Sequence, residues 1–197
     1  MNYIDVIIII ILIVFSMYYV KENFIEVSYV RSTIDGKQYL VQNRKNAVEA
    51  ANLLANINKN LLKLISILKE KYSDDERTKR IIKNYDSESI TEGTGEENYT
   101  SYSINKGEKI VFCITLRNDT DNTKLMDLNT MLYVAIHELG HLGTKEIGHD
   151  NVFWKNFKWL LKIAEKEGIY EYENYKLNPK KYCGIIINTN ILDNTNF

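Results

Sequence analysis

The polarity of this chain changes character several times along its length, and each change predicts an element. Val6 to Val20 reads VIIIIILIVFSMYYV, without a charge and without a polar face. A half-exposed helix needs a polar face, so this run suits lipid better than a soluble core. It is slightly short against the roughly 17–25 residues of a spanning helix, although Ile4 extends it past Asp5. A secretory signal would start with basic residues and end at small ones. Met1-Asn2-Tyr3-Ile4-Asp5 and Ser16-Met17-Tyr18-Tyr19-Val20 do neither. The expectation is a single transmembrane anchor over residues 1–21, with Tyr18 and Tyr19 as interfacial aromatics, followed by one domain over 22–197. Lys21, Arg31 and Lys37 all follow the run, so the positive-inside rule puts that domain in the cytosol.

Beyond the anchor, Val27-Ser28-Tyr29-Val30 and Gln38-Tyr39-Leu40-Val41 flank Ile34-Asp35-Gly36-Lys37, the pattern of a β-hairpin. Arg44 to Tyr72 carries apolar residues at Ala47, Ala50, Ala51, Leu54, Ile57, Leu61, Ile65 and Leu68, one stripe of a long amphipathic helix. Ser73 and Glu76 have capping-box spacing and predict a second, shorter helix. Asp86 to Glu108 is polar and centred on Glu92-Gly93-Thr94-Gly95-Glu96-Glu97, the composition of a mobile loop. A second hairpin follows, with Tyr99 to Ile104 and Lys109 to Leu116 as arms and Asn105-Lys106-Gly107-Glu108 as the turn. Arg117 to Lys124 is a polar loop. Asp127 to Leu142 is helical, with Leu128, Met131, Leu132, Ala135 and Leu139 on its buried face. A last helix runs from Asp150, its N-cap, to Glu167, with Gly168 as terminator. Ile185-Ile186-Ile187 in the tail is the pattern of a short added strand. No internal repeat is visible.

Composition alters little in this picture. A hydrophobic share of 45% fits a globular domain, and a formal net charge of −1 gives no global field to draw the chain onto nucleic acid. Cys113 and Cys183 form no C-x-x-C pair and are too few for a disulfide framework, which reads as two free thiols in a reducing compartment. Asn98-Tyr99-Thr100 and Asn118-Asp119-Thr120 are sequons, to be glycosylated only if the domain leaves the cytosol.

The chemistry gathers in Tyr133-Val134-Ala135-Ile136-His137-Glu138-Leu139-Gly140-His141-Leu142, which contains H-E-x-x-H. On a helix, residues i and i+4 share a face, so His137 and His141 can converge on one ion. Imidazole suits Zn²⁺, and a catalytic zinc site keeps one position open for water. Glu138 is then placed to act as general base. The bland alternative is a pair of surface histidines. Against it, the chain has only 3 histidines, all between positions 137 and 149, and apolar residues flank the motif closely. For a third ligand, His149 in Gly148-His149-Asp150 competes with Glu165 or Glu167 on the last helix. Glycines at 140, 143 and 148 would let the chain turn back beneath a metal. An oxyanion stabiliser is also expected, with Tyr170, Tyr172, Tyr175 and Tyr182 as candidates.

His137-Glu138-Leu139-Gly140-His141 followed by His149-Asp150-Asn151-Val152-Phe153-Trp154 resembles the signature of WLM-domain metallopeptidases, relatives of the SprT-like group. The resemblance covers roughly Lys109 to Gly168, and the interval from His141 to His149 is longer than usual in that family. It implies an α+β, zincin-like domain with a small mixed sheet and an active-site helix. It also implies His149 as third zinc ligand, and peptidase activity on protein or peptide substrates. An edge strand beside the cleft would bind the substrate, with Lys109 to Leu116 in that place. Phe153 and Trp154 would be core aromatics. Nucleic-acid contact, which the resemblance would allow, has little support from charge beyond Lys176 and Lys180-Lys181. The alternative is a zinc-stabilised, membrane-anchored binding module without catalysis, in which Glu138 would have no task.

Overall fold

The computed structural model describes residues 2–24, 27–94, 100–116 and 123–195, with the backbone alone for 19–24. The chain is mixed α+β, with five α-helices and a mixed sheet among the described residues. Helix α1 (Tyr3–Phe24) carries the N-terminal apolar run. Its side chains from Ile7 to Phe15 are 45–66% exposed, so α1 is not a core helix. Among the described residues, no helix is long and apolar enough to cross a membrane.

Strands β1 (Val27–Arg31) and β2 (Gln38–Gln42) form the expected hairpin, with Gly36 supplying the positive φ of its turn. Helix α2 (Ala47–Lys71) lays its apolar stripe on the sheet, and Ala51, Leu54, Ile57, Leu61, Leu64 and Leu68 are buried completely or nearly so. Buried Asn58 on this helix keeps its amide satisfied. It donates to Tyr39 and to the Ser87 carbonyl and accepts from Tyr85. Helix α3 (Glu76–Asn84) is capped by Asp75 rather than Ser73, because the Asp75 carboxylate accepts from the Arg77 amide at 2.8 Å and grips the Arg77 guanidinium as well.

The polar stretch expected to be a loop contains an interior strand, β3 (Ile90–Glu92), parallel to both its neighbours. Three residues are too few to show periodicity, and the strand ends in a buried glutamate that reads as a loop residue. Glu92 is tolerated there because its carboxylate accepts from the Gln42 amide and the Thr115 hydroxyl, while burial raises its pKa. Strands β4 (Ser101–Ile104) and β5 (Lys109–Phe112) form the second hairpin, and the sheet order is β1-β2-β3-β5-β4. Lys109 to Leu116 is therefore not the edge. β5 is paired on both sides, which buries Val111 as well as Ile110 and Phe112, and β4 takes the edge. Both sequons begin outside the described residues.

Helices α4 (Leu128–Gly143) and α5 (Asn151–Lys166) follow, capped by the carboxylates of Asp127 and Asp150. They approach closely at Gly140, where a Cβ would lie 3.3 Å from the Phe153 ring. The tail forms its own hairpin, β6 (Lys180–Tyr182) with β7 (Ile185–Ile187), instead of adding a strand to the sheet. Cys113 and Cys183 are joined in a disulfide across a separation of 70 residues. Two free thiols are thus ruled out, and the bond fastens the tip of the β6–β7 hairpin to the chain just after β5.

Candidate metal centre

A cavity of about 520 Å³ lies between the β4 edge, helix α4, the loop before His149 and the β6–β7 hairpin. His137, Glu138, His141 and His149 all line it. One turn of α4 places His137 and His141 on the same face, as the motif predicts. The route to His149 differs from the one expected. Gly140 and Gly143 are helical and serve close packing, while Gly148, at φ +98°, makes the turn that delivers His149.

The three Nε2 atoms form a triangle with sides of 3.0, 3.2 and 3.3 Å. Each nitrogen carries either a proton or a lone pair, so among three of them at least two must face each other in the same state. A shared cation removes that conflict. Nitrogens about 2.0–2.1 Å from one tetrahedral ion lie about 3.3–3.4 Å apart, so the triangle is of the right size for zinc. The His137–His141–His149 cluster could hold a metal ion. Burial and the neighbouring imidazoles lower His137 to a pKa of about 3. Burial, then His149 and Lys106, lowers His141 to about 4, and burial lowers His149 as well. All three are neutral at pH 7, the state in which imidazole binds metal.

The rings are held by aromatic neighbours. Phe153, fully buried, stacks on His141 at 4.1 Å between centroids and meets His137 and His149 edge-on. Trp154 stacks on His149. Phe153 and Trp154 therefore orient the histidines directly, beyond fixing helix α5. Glu165 and Glu167 sit at the far end of α5. Glu167, the C-cap of α5, lies fourteen positions beyond Phe153, about 21 Å of rise, and its carboxylate pairs with Lys71. The structure thus brings His149, and neither glutamate, to the cluster.

Glu138 is 4% exposed, and burial alone pushes its pKa up to about 8. Of the four tyrosines, Tyr182 lines the cavity, with its hydroxyl hydrogen-bonded to Ser101 on the β4 edge. Tyr170 and Tyr175 bond to each other, Tyr170 also accepts from Asn190, and Tyr172 donates to Asp193. A second cavity of about 570 Å³ shares Tyr133, His137 and Ile187 with the first and is lined by Trp154 and Phe157. Neither the edge-strand serine, nor Ile185 and Ile187 in the cavity wall, nor this second cavity has a signal in the sequence.

No protein-family model matches the chain. In arrangement it is similar to yeast (Saccharomyces cerevisiae) Wss1, with a TM-score of 0.46 and 20% identity, covering 65% of this chain and 88% of that one. A Wss1 mutant gives 0.47 and 19% over 66% and 91%. Nothing about activity follows from so distant a likeness. The uncharacterized protein 136R of Invertebrate iridescent virus 6 is 34% identical over 88 residues, 45% of this chain and 47% of its own length. Protein 042R of Invertebrate iridescent virus 3 is 34% identical over 89 residues, 45% and 52%. The uncharacterized protein R325 of Acanthamoeba polyphaga mimivirus is 34% identical over 176 residues, 87% of this chain and 88% of its own. The chain belongs to the family of mimivirus protein R325.

Proposed function

We propose that the chain is a zinc-dependent peptidase of the WLM type, with His137, His141 and His149 as ligands and Glu138 as general base. The observation that carries this reading is the triangle of three neutral imidazole nitrogens with a buried carboxylate beside it in one open cavity. Zinc held there supplies Lewis acidity, which acidifies water and polarises a carbonyl. Glu138 takes the proton of the attacking water and hands it to the departing amine. Of the four tyrosines expected to serve the developing oxyanion, Tyr182 is the one that lines the cavity, and we assign the role to it. β4, the outermost strand of the described sheet and part of the cavity wall, is the strand we assign to pairing with an extended protein or peptide substrate.

The test is Glu138→Gln in the full chain. Gln keeps the size of the side chain but cannot take a proton, so zinc should stay and proteolysis of an unfolded protein should stop. Retained proteolysis would exclude Glu138 as base. Zinc retained with no cleavage by the wild type would favour the non-catalytic binding module.

α1 is proposed as the membrane anchor. What supports it is the uncharged run from Val6 to Val20 and the exposure of its side chains from Ile7 to Phe15. The cationic flank and the disulfide favour opposite sides. Arg31 and Lys37 sit in the folded β1–β2 hairpin, leaving Lys21 as the flanking charge, whereas disulfides persist in oxidising compartments. We therefore place the domain on the oxidising side. Glycosylation of Asn98 or Asn118 in microsomes would agree, and protease accessibility from the cytosolic face with unmodified sequons would not.

A further inference from the structure

We infer that Lys106 is the positioning residue for the third metal ligand, holding the loop that carries His149; the inference rests on the metal centre proposed above. The loop from Thr144 to Asp150 leaves α4 and must return His149 to the face that bears His137 and His141. It is exposed from Lys145 onward, so burial does not fix it. The Lys106 ammonium reaches across from the β4–β5 turn and donates to three successive carbonyls, Thr144 at 2.6 Å, Lys145 at 3.1 Å and Glu146 at 2.8 Å. An ammonium has three donors, and all three are engaged. Among the described residues, no other hydrogen bond ties the backbone of Lys145 to Gly148 to the rest of the chain.

The clasp continues a series. Asn84 donates to the Leu142 carbonyl and Arg80 to that of Gly143, so the carbonyls from 142 to 146 are each met by a side chain from α3 or from the turn. A cation at the exposed carbonyl end of α4 also complements the helix dipole. The turn is built to present this lysine. Asn105 and Lys106 both have positive φ, 46° and 58°, a conformation that Asn adopts readily and Lys rarely. Gly107 locks the turn in place, since a Cβ there would lie 2.2 Å from the Asn84 carbonyl oxygen. The long interval between His141 and His149 is thereby given a fixed path.

The experiment compares wild type, Lys106→Met, Lys106→Arg, His149→Ala and the Lys106→Met/His149→Ala double variant, all in the full chain. Met keeps the aliphatic stem and removes the donors. Zinc affinity is read by chelator competition, ligand geometry by the visible spectrum of the cobalt-substituted protein, and loop order by amide exchange over 144–149 without metal. Lys106→Met should weaken zinc about 10–100-fold, the usual cost of losing an outer-shell support. It should also change the cobalt spectrum and speed exchange in the loop, and Lys106→Arg should recover part of each. In the double variant, the Lys106 change should add little to the loss from His149→Ala, because it acts through that residue. Unchanged loop exchange in Lys106→Met overturns the inference even if the protein binds no zinc. So does a zinc loss that adds in full to that of His149→Ala. If wild type takes up no zinc while the loop exchange responds as expected, it is the metal centre that fails and the clasp that stands.

Discussion

The cavity has two walls of different construction. One is the α4–loop–α5 unit, which carries His137, His141 and Glu138 on α4 and His149 on the loop before α5, the helices capped by Asp127 and Asp150 and bedded on Phe153 and Phe157. The other is the β6–β7 hairpin, two strands of three residues that contribute Tyr182, Ile185 and Ile187. So short a hairpin is not stable alone. It is held by the Cys113–Cys183 disulfide, the Tyr182–Ser101 hydrogen bond and the Lys180–Glu173 ion pair. The proposed metal ligands and base thus sit on the wall stabilised by packing, and the cavity's shape, with the Tyr182 hydroxyl, on the wall stabilised by a covalent bond. The two should fail independently.

The largest effect is expected on the helical wall. Glu138→Gln should lower kcat by on the order of 10²–10⁴, the usual contribution of a general base, with zinc affinity close to wild type. On the hairpin wall, Cys113→Ser/Cys183→Ser should cost about 2–5 kcal/mol of stability by denaturant titration. Its effect on proteolysis should fall on KM and, through Tyr182, on kcat, with zinc retained; loss of zinc in that variant would mean the walls are not separable.

That contrast also accounts for what the sequence disclosed. The helical wall was legible because its signals are local: His137 and His141 one turn apart, caps at Asp127 and Asp150, apolar periodicity between them. The hairpin wall was not, because a bond between residues 113 and 183 leaves no local pattern, and strands of three residues carry no period. β3 was hidden for the same reason, and its buried Glu92 made Ile90 to Glu92 look like loop. The edge differs from the expected one because β5 alternates well whether or not a strand lies beyond it, and pairing order is a long-range property. Lys106 gave no signal at all, since a lysine in a turn is ordinary until its partners are known.

A smaller effect tests electrostatics at the helical wall without metal. Glu138 has its folded pKa raised to about 8 from 4.5, so its ionisation opposes folding. The metal-free chain should lose stability as pH rises between those values. His137 and His141 have folded pKa values of about 3 and about 4 against 6.5, so their protonation opposes folding as pH falls below 6.5. Stability of the metal-free chain should therefore decline on both sides, and Glu138→Gln should reduce only the alkaline decline, by on the order of a few kcal/mol above pH 8, leaving the part due to buried Glu92. Equal alkaline sensitivity in the two proteins would contradict the burial of that carboxylate. The smallest effect is expected from Asp150→Ala, which removes the α5 cap at about 0.5–2 kcal/mol and, being next to His149, should weaken zinc modestly.

The most direct test of the metal centre is zinc stoichiometry by mass spectrometry on the purified full chain and on His137→Ala, His141→Ala and His149→Ala. Wild type should carry zinc at a ratio near unity, and each substitution should reduce it, the first two most strongly. Zinc undiminished by the loss of both His137 and His141, or absent from wild type purified without chelator, would contradict the proposed site.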